Sequence, residues 1–234
     1  MDRLVRAFPL TRRSAIEAAR SSDAAERARG LQTVAAAYWR PVYSYLRLHW
    51  RKPHDEAADL AQEFFAELID KELLARFDPA QARLRTWLRI CIDGLVANDT
   101  RAARRQKRGG GAPAFDFDSI RGDVEALQTL ASPEVAFERE WARAVFALAL
   151  QRLQERCKHE GKDRYYALLD AYDLGDRPSY AVLAERFGIA VTDVTNRLAW
   201  ARRELRTTVV EVLRELTASD AELREEMGAL LEPS

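Results

Sequence analysis

Cysteine is nearly absent: Cys91 and Cys157 are the two in 234 residues. Two thiols cannot build a disulfide framework or the usual thiolate zinc site. The three histidines, His49, His54 and His159, are scattered rather than paired at metal-ligand spacing. Val, Ile and Thr together supply only 29 residues, which argues against an all-β protein. No apolar stretch approaches the roughly 18 residues needed to cross a bilayer. The opening MDRLVRAFPLTRRS lacks the apolar core of a secretory signal. Missing too are a His-Glu-x-x-His helix, a phosphate-binding loop ending in Lys-Ser/Thr and a nucleophile elbow. The expectation is a cytoplasmic protein that is not an enzyme, holds no cofactor or metal, and does not enter a membrane. Net charge is absent as well, with 37 Lys and Arg against 37 Asp and Glu.

What is present in quantity is Ala, Leu, Glu and Arg, the strong helix formers. The charge is balanced overall but unevenly placed. Five cations and no acid lie between Arg101 and Arg108, and four cations face Glu204 between Arg197 and Arg206. Five acids against Arg224 lie between Asp220 and Glu232. Such runs are either solvated helix faces or contacts to a polyanion.

Eight prolines punctuate the chain, and the segments between them carry helical periodicity. Ser22-Asp23 can cap a helix to about Trp39, with a short helix after Pro41. A third helix is expected from Asp55 to about Leu74 with Leu60, Phe64 and Leu68 on its apolar stripe. A fourth runs from about Gln81 to Lys107, with Leu84, Leu88, Cys91 and Leu95 on one face. Gly109-Gly110-Gly111-Ala112-Pro113 cannot hold a helix, and the stretch to Ser132 has no clear period. Helices are expected again at 135–159, 163–172, from Ser179, at 192–216 and at 219–231. The fold class is therefore all-α, with two helical domains and a flexible linker. The expected organisation is 1–108, a linker at 109–132, 133–216, and an acidic extension at 217–234.

The segment from Tyr180 to Leu205 carries a helix-turn-helix pattern. Small Ala184 permits a close helix crossing, Gly188 can take a positive φ, and Ile189 and Val194 fill the wedge. On a helical wheel Val194, Leu198, Ala201 and Leu205 form the core stripe. Thr192, Asn196, Ala199 and Arg203 point the opposite way, flanked by Trp200 and Arg202. Amide and hydroxyl groups near a helix start, with Arg behind them, suit a helix entering the major groove. The rival account is the solvated face of an ordinary helical hairpin.

The helix after Asp55 has a second face, where Asp59, Gln62, Glu63 and Ala66 recur at three- and four-residue spacing. The run Asp59-Leu-Ala-Gln-Glu-Phe-Phe65 resembles the Asp-Leu-x-Gln-Glu-x-Phe signature of bacterial RNA polymerase sigma factors. Phe77-Asp-Pro-Ala-Gln-Ala-Arg-Leu-Arg-Thr-Trp-Leu88 looks like the loop and helix that follow it in that family, and Tyr38 to Arg47 like the preceding helices. The likeness is greatest to the extracytoplasmic-function (ECF) group, which keeps only the second and fourth sigma domains. Phe8-Pro-Leu-Thr-Arg12, Gln106 to Gly111 and Phe137-Glu-Arg-Glu-Trp141 resemble a branch with a carboxyl-terminal extension.

The resemblance implies partners and site residues. Asp59, Gln62 and Glu63 would dock on the clamp helices of the polymerase largest subunit through charge-assisted hydrogen bonds, and the flap would take the second domain. The loop from Phe77 and Asp78 to Ala82 would cradle a flipped base of the -10 promoter element. Arg83, Arg85, Thr86, Trp87 and Arg89 would contact and open the duplex, and Arg101, Arg104 and Arg105 would neutralise phosphates. Thr192, Thr195, Asn196, Arg197, Trp200 and Arg203 would read the -35 element. An anti-sigma factor or other regulator is a further partner of the family, and the acidic extension has the charge to fold back on a basic surface. Ala58 replaces a frequent Glu, Asp93-Gly94 replaces a frequent Arg-Asn, and Thr195 and Trp200 stand where Arg or Lys is common. No Ser or Thr lies between Pro53 and Gln62, so a kinase switch there has no acceptor. A stand-alone helix-turn-helix regulator is the alternative, and it has no use for the Asp59–Glu63 ridge.

Overall fold

A computed structural model of the chain describes residues 14–70, 73–102 and 132–231, with backbone alone over 99–102. Among the described residues the structure is helical and contains no strand. The helices are α1 (Ala15–Ala18), α2 (Ala24–Leu48), α3 (His54–Asp70), α4 (Leu84–Ala102), α5 (Pro133–His159), α6 (Asp163–Leu169), α7 (Tyr180–Phe187), α8 (Val191–Leu216) and α9 (Asp220–Leu231). A 3-10 turn spans Leu73–Arg76, and a π turn at Asp170–Leu174 follows α6. The glycine-rich stretch read as a linker lies outside the described residues, Ser132 excepted.

Two compact units are built from these elements. The first holds α1 to α4, the opening of α5 as far as Trp141, and Arg214–Glu225. The second holds Ala142–Leu213 and the end of α9 from Glu226.

In the first unit, local chemistry starts the helices. Ser14 and Glu17 form a reciprocal capping box on α1. Asp23 caps α2 by accepting the Glu26 N–H at 2.8 Å, and that bond holds its carboxyl below the usual range. α2 then runs unbroken through Pro41, where two helices were expected. Proline deprives the Ala37 carbonyl of its partner, at a cost of about 3 kcal/mol in a helix interior. Tyr38, Val42, Tyr43 and Leu46, on either side of it, are each no more than 2% exposed. Burying that much apolar surface outweighs the lost bond.

α3 ends at Asp70, short of the expected Leu74, and its stripe of Ala57, Leu60, Ala61, Phe64, Phe65 and Leu68 is buried. In α4 the buried row is Leu84, Leu88, Ile92 and Val96, whereas Cys91 is only half-buried. The expected row of Leu84, Leu88, Cys91 and Leu95 is one position out beyond Leu88. Strict four-residue steps carry the true row, and the choice between neighbouring apolar positions is made by packing. Gly30 lies in α2 where α1 crosses it. A Cβ there would stand 2.3 Å from the Ala19 nitrogen and 2.6 Å from the Ala15 carbonyl oxygen.

The second unit has cores made from short steps of chain. Leu168, Leu183, Ala184, Val194 and Leu198 form one cluster, with Ile189 packed against it. Leu153, Cys157, Leu169 and Ala201 form another. Ser179 caps α7 by accepting the Val182 N–H at 3.3 Å. Gly188 takes φ +62° at its end, and the Ile189 N–H returns to the Ala184 carbonyl at 3.0 Å. α8 starts three residues later, so α7 and α8 are joined by the tight turn expected of this segment.

Candidate functional site

The ridge of α3 stands on the side opposite its apolar stripe. Asp59, Gln62 and Glu63 are all exposed, while Leu60, Ala61 and Phe64 between them are buried. A 3.6-residue period makes this separation unavoidable once the stripe is in the core. Two carboxylates and an amide on one exposed face form an acceptor-rich strip, suited to guanidinium donors of another molecule.

The loop before α4 is shaped from within. Asp78 is exposed, and its carboxylate accepts the Ala80 N–H at 3.0 Å and the Gln81 side-chain amide at 2.9 Å. Phe77, one residue earlier, is 2% exposed. Its ring packs on Trp87 at 5.6 Å, and the Arg20 guanidinium lies over it. Arg20 also donates to the carbonyls of Leu74 and Phe77. Phe77 is thus part of the core under the loop, and Trp87, half-buried, closes the other side of that contact.

At the start of α4 and just before it the candidate cations are engaged inside their own unit. Arg83 pairs with Glu225 of α9. Arg85 pairs with Glu138 at 3.2 Å and stacks on the Trp141 ring at 4.8 Å. Arg89 lies over the Phe137 ring at 5.5 Å. Thr86 is half-buried. Arg101 belongs to the last turn of α4, of whose side chains nothing is described, and Arg104 and Arg105 lie outside the described residues.

Beside this face sits a polar knot that the sequence does not announce. Asp93 accepts from the Trp50 indole N–H at 2.9 Å and is approached by the Tyr45 hydroxyl at 3.5 Å. Tyr45 stacks on His49 and meets Phe137 edge-on. Burial, with the Asp93 carboxylate adding to it, pushes the Tyr45 phenol up to about 12.

In the second unit α8 carries the other candidates. Thr192, Thr195, Asn196 and Arg203 are exposed, and Val194, Leu198 and Ala201 are buried on the opposite side. The Thr195 hydroxyl donates back to the Val191 carbonyl at 3.2 Å. Arg197 lies over the Tyr165 ring at 5.3 Å. Trp200 is half-buried against the same Tyr165, with Lys162 over its ring at 4.4 Å. Arg202, beside this row, makes a two-pronged bond to Asp173 at 2.7 and 2.8 Å. That bond raises its pKa and reserves it for structure.

Sequence reasoning missed Glu138 and Trp141 as neighbours of Arg85 on α4, and Glu140 as the partner of Arg40 on α2. Their segment was singled out only for its likeness to a family branch. A buried glutamate can be recognised only through its partner, and Arg40, which bonds Glu140 at 2.9 Å, lies 100 residues away.

Among the described residues no helix is long and apolar enough to cross a membrane. No group of His, Cys, Asp or Glu among them could hold a metal ion. Residues 34–107 match the family model of Sigma-70 region 2, which supports an RNA polymerase sigma-70 family factor. The match covers the last three-fifths of α2, all of α3 and α4, and the loop between them. No curated protein and no solved structure matches the chain.

Proposed function

We propose that the chain is an RNA polymerase sigma factor of the ECF group, which binds core polymerase, recognises -10 and -35 promoter elements and promotes opening of the duplex. The observation that carries this is the exposed Asp59-Gln62-Glu63 ridge inside the segment matched to Sigma-70 region 2. Sigma factors are non-enzymatic DNA-recognition subunits, and this chain does no bond chemistry; the polymerase supplies the catalysis.

The division of labour follows the two units. The α3 ridge takes the arginine-bearing clamp helices of the polymerase largest subunit, and the second unit takes the flap. The loop at 77–82 receives an unpaired -10 base, with Asp78 and Arg83 at its rim and Phe77 fixing its floor. Arg85, Thr86, Trp87 and Arg89 continue that surface along α4, and Arg101, Arg104 and Arg105 extend it toward the phosphates. Asp93-Gly94 takes the place of a frequent Arg-Asn pair, so the Asp93 carboxylate, already bonded to Trp50, changes the -10 base preference. In the second unit the α7–α8 helix-turn-helix places Thr192, Thr195, Asn196 and Arg203 in the -35 major groove. Arg197 and Trp200 act from its flank, braced on Tyr165. The site of action is the cytoplasm, where polymerase and promoter meet, and an anti-sigma protein would compete for the same surfaces.

The test is charge reversal on the ridge. Asp59→Arg with Glu63→Arg should abolish holoenzyme formation on a native gel while helical content by circular dichroism stays unchanged. Undiminished holoenzyme would refute the docking assignment and favour a stand-alone helix-turn-helix regulator.

A further inference from the structure

The opening of α5 lies in the first unit and covers the basic face of α4. Phe137 is fully buried and Trp141 is 3% exposed. Both rings lie under arginine guanidinium groups, Arg89 over Phe137 and Arg85 over Trp141. Glu138 adds a carboxylate to Arg85, whose side chain is left 14% exposed. Glu140, wholly buried, pairs with Arg40 of α2 and fixes the segment from its other side. Glu225 of α9 pairs with Arg83, the residue just before α4.

Two carboxylates and two aromatic faces therefore meet the same three arginines. An anionic group and a flat π surface are also what a single-stranded nucleic acid presents, as phosphate and base. We infer that residues 133–141 are an internal mimic of the melted promoter strand: a strap that occupies the α4 face in the free chain and must leave before DNA binds there. The inference rests on the reading of α4 as the -10 face. It goes beyond that reading by naming the segment that competes with DNA and the bonds that hold it. Glu225 is a second clasp, so the acidic extension acts on the same face through Arg83.

Competition of this kind lowers apparent affinity by the fraction of molecules with the strap off. A strap closed in about nine molecules of ten weakens DNA binding about tenfold. The experiment uses the full-length chain and a fluorescein-labelled single-stranded DNA of mixed sequence, read by anisotropy. Phe137→Ala with Glu138→Gln removes one ring and one carboxylate from the strap, and Glu155→Gln at an exposed position controls for net charge. The released variant should bind the DNA about tenfold more tightly than the wild type and the control. Adding Arg85→Ala and Arg89→Ala should erase the gain.

Equal affinity, or a gain that survives loss of both arginines, would overturn the strap. Hydrogen exchange on the unaltered chain gives a second reading that does not depend on the variant folding. The amides of 137–141 should exchange slowly in the free chain and faster when the DNA is added in excess. Protection that stays the same at saturating DNA would also overturn it. Holoenzyme formation by the wild type is measured in parallel. Its loss would refute the sigma-factor reading alone, because the anisotropy and exchange results stand without polymerase.

Discussion

Tyr45 shows how one side chain can report on a surface. Its hydroxyl approaches Asp93 while its ring meets Phe137 edge-on, and its ionisation is displaced from 10.0 to about 12. A phenol whose folded pKa is raised stabilises the fold fully below its unfolded value, and loses that contribution as pH rises through the folded one. Stability should therefore decline between pH 10 and 12, in step with ionisation of this tyrosine. An ultraviolet titration should show a phenol ionising near pH 12, and Tyr45→Phe should remove that component. If Tyr45→Phe left the late component of the titration unchanged, the Asp93 contact would be wrong. Little of this was readable beforehand, because Tyr45, Trp50, Asp93 and Phe137 are remote in sequence. What was readable at this scale was Gly188, since a single residue can betray a positive φ through its own chemistry.

The α7–α8 turn argues the same point for elements. A Cβ at Gly188 would meet nothing within 4 Å, so substitution there is opposed by backbone conformation alone. Gly188→Ala should cost about 1 kcal/mol, and Gly188→Asn less, because Asn tolerates the left-handed region. Urea denaturation monitored by circular dichroism measures both. Equal losses would mean that packing, not φ, sets the penalty.

Helix starts at Asp23 and Ser179 and the stripe on α3 were legible because caps and periods are local signals. The path of α2 through Pro41 was not, since the residues that offset the proline are buried by other helices. The buried row of α4 was read one position out for a similar reason: Ile92 and Val96 versus Cys91 and Leu95 is decided by partners. The exposure of Asp59, Gln62 and Glu63 was legible, whereas the covering of Arg85 and Arg89 by 133–141 was not. No local pattern tells an amphipathic helix which surface it will cover.

At the scale of the whole molecule, charge organises function more than net charge does. The balance of 37 against 37 conceals an acidic ridge on α3 and basic faces on α4 and α8. Arg203 is exposed on α8, and under the proposed function it contacts promoter DNA. Arg203→Ala in the holoenzyme should weaken promoter binding and reduce the log–log salt slope by about 0.9, the value of one lost duplex phosphate contact. A salt titration on a bound promoter fragment measures it. An unaltered slope would take Arg203 off the phosphate list.

The reach of Arg20 has a practical consequence for anyone wishing to cut the molecule into parts. This side chain leaves the end of the first short helix and fastens the carbonyls of Leu74 and Phe77, yet residue 20 precedes the matched stretch, which begins at 34 inside α2. An excised fragment trimmed to the edges of the match would sever a helix mid-length and forfeit the fastener of its own loop before α4. Homology boundaries and mechanical boundaries part company here, and a usable minimal piece has to begin upstream, at Ser14 or before.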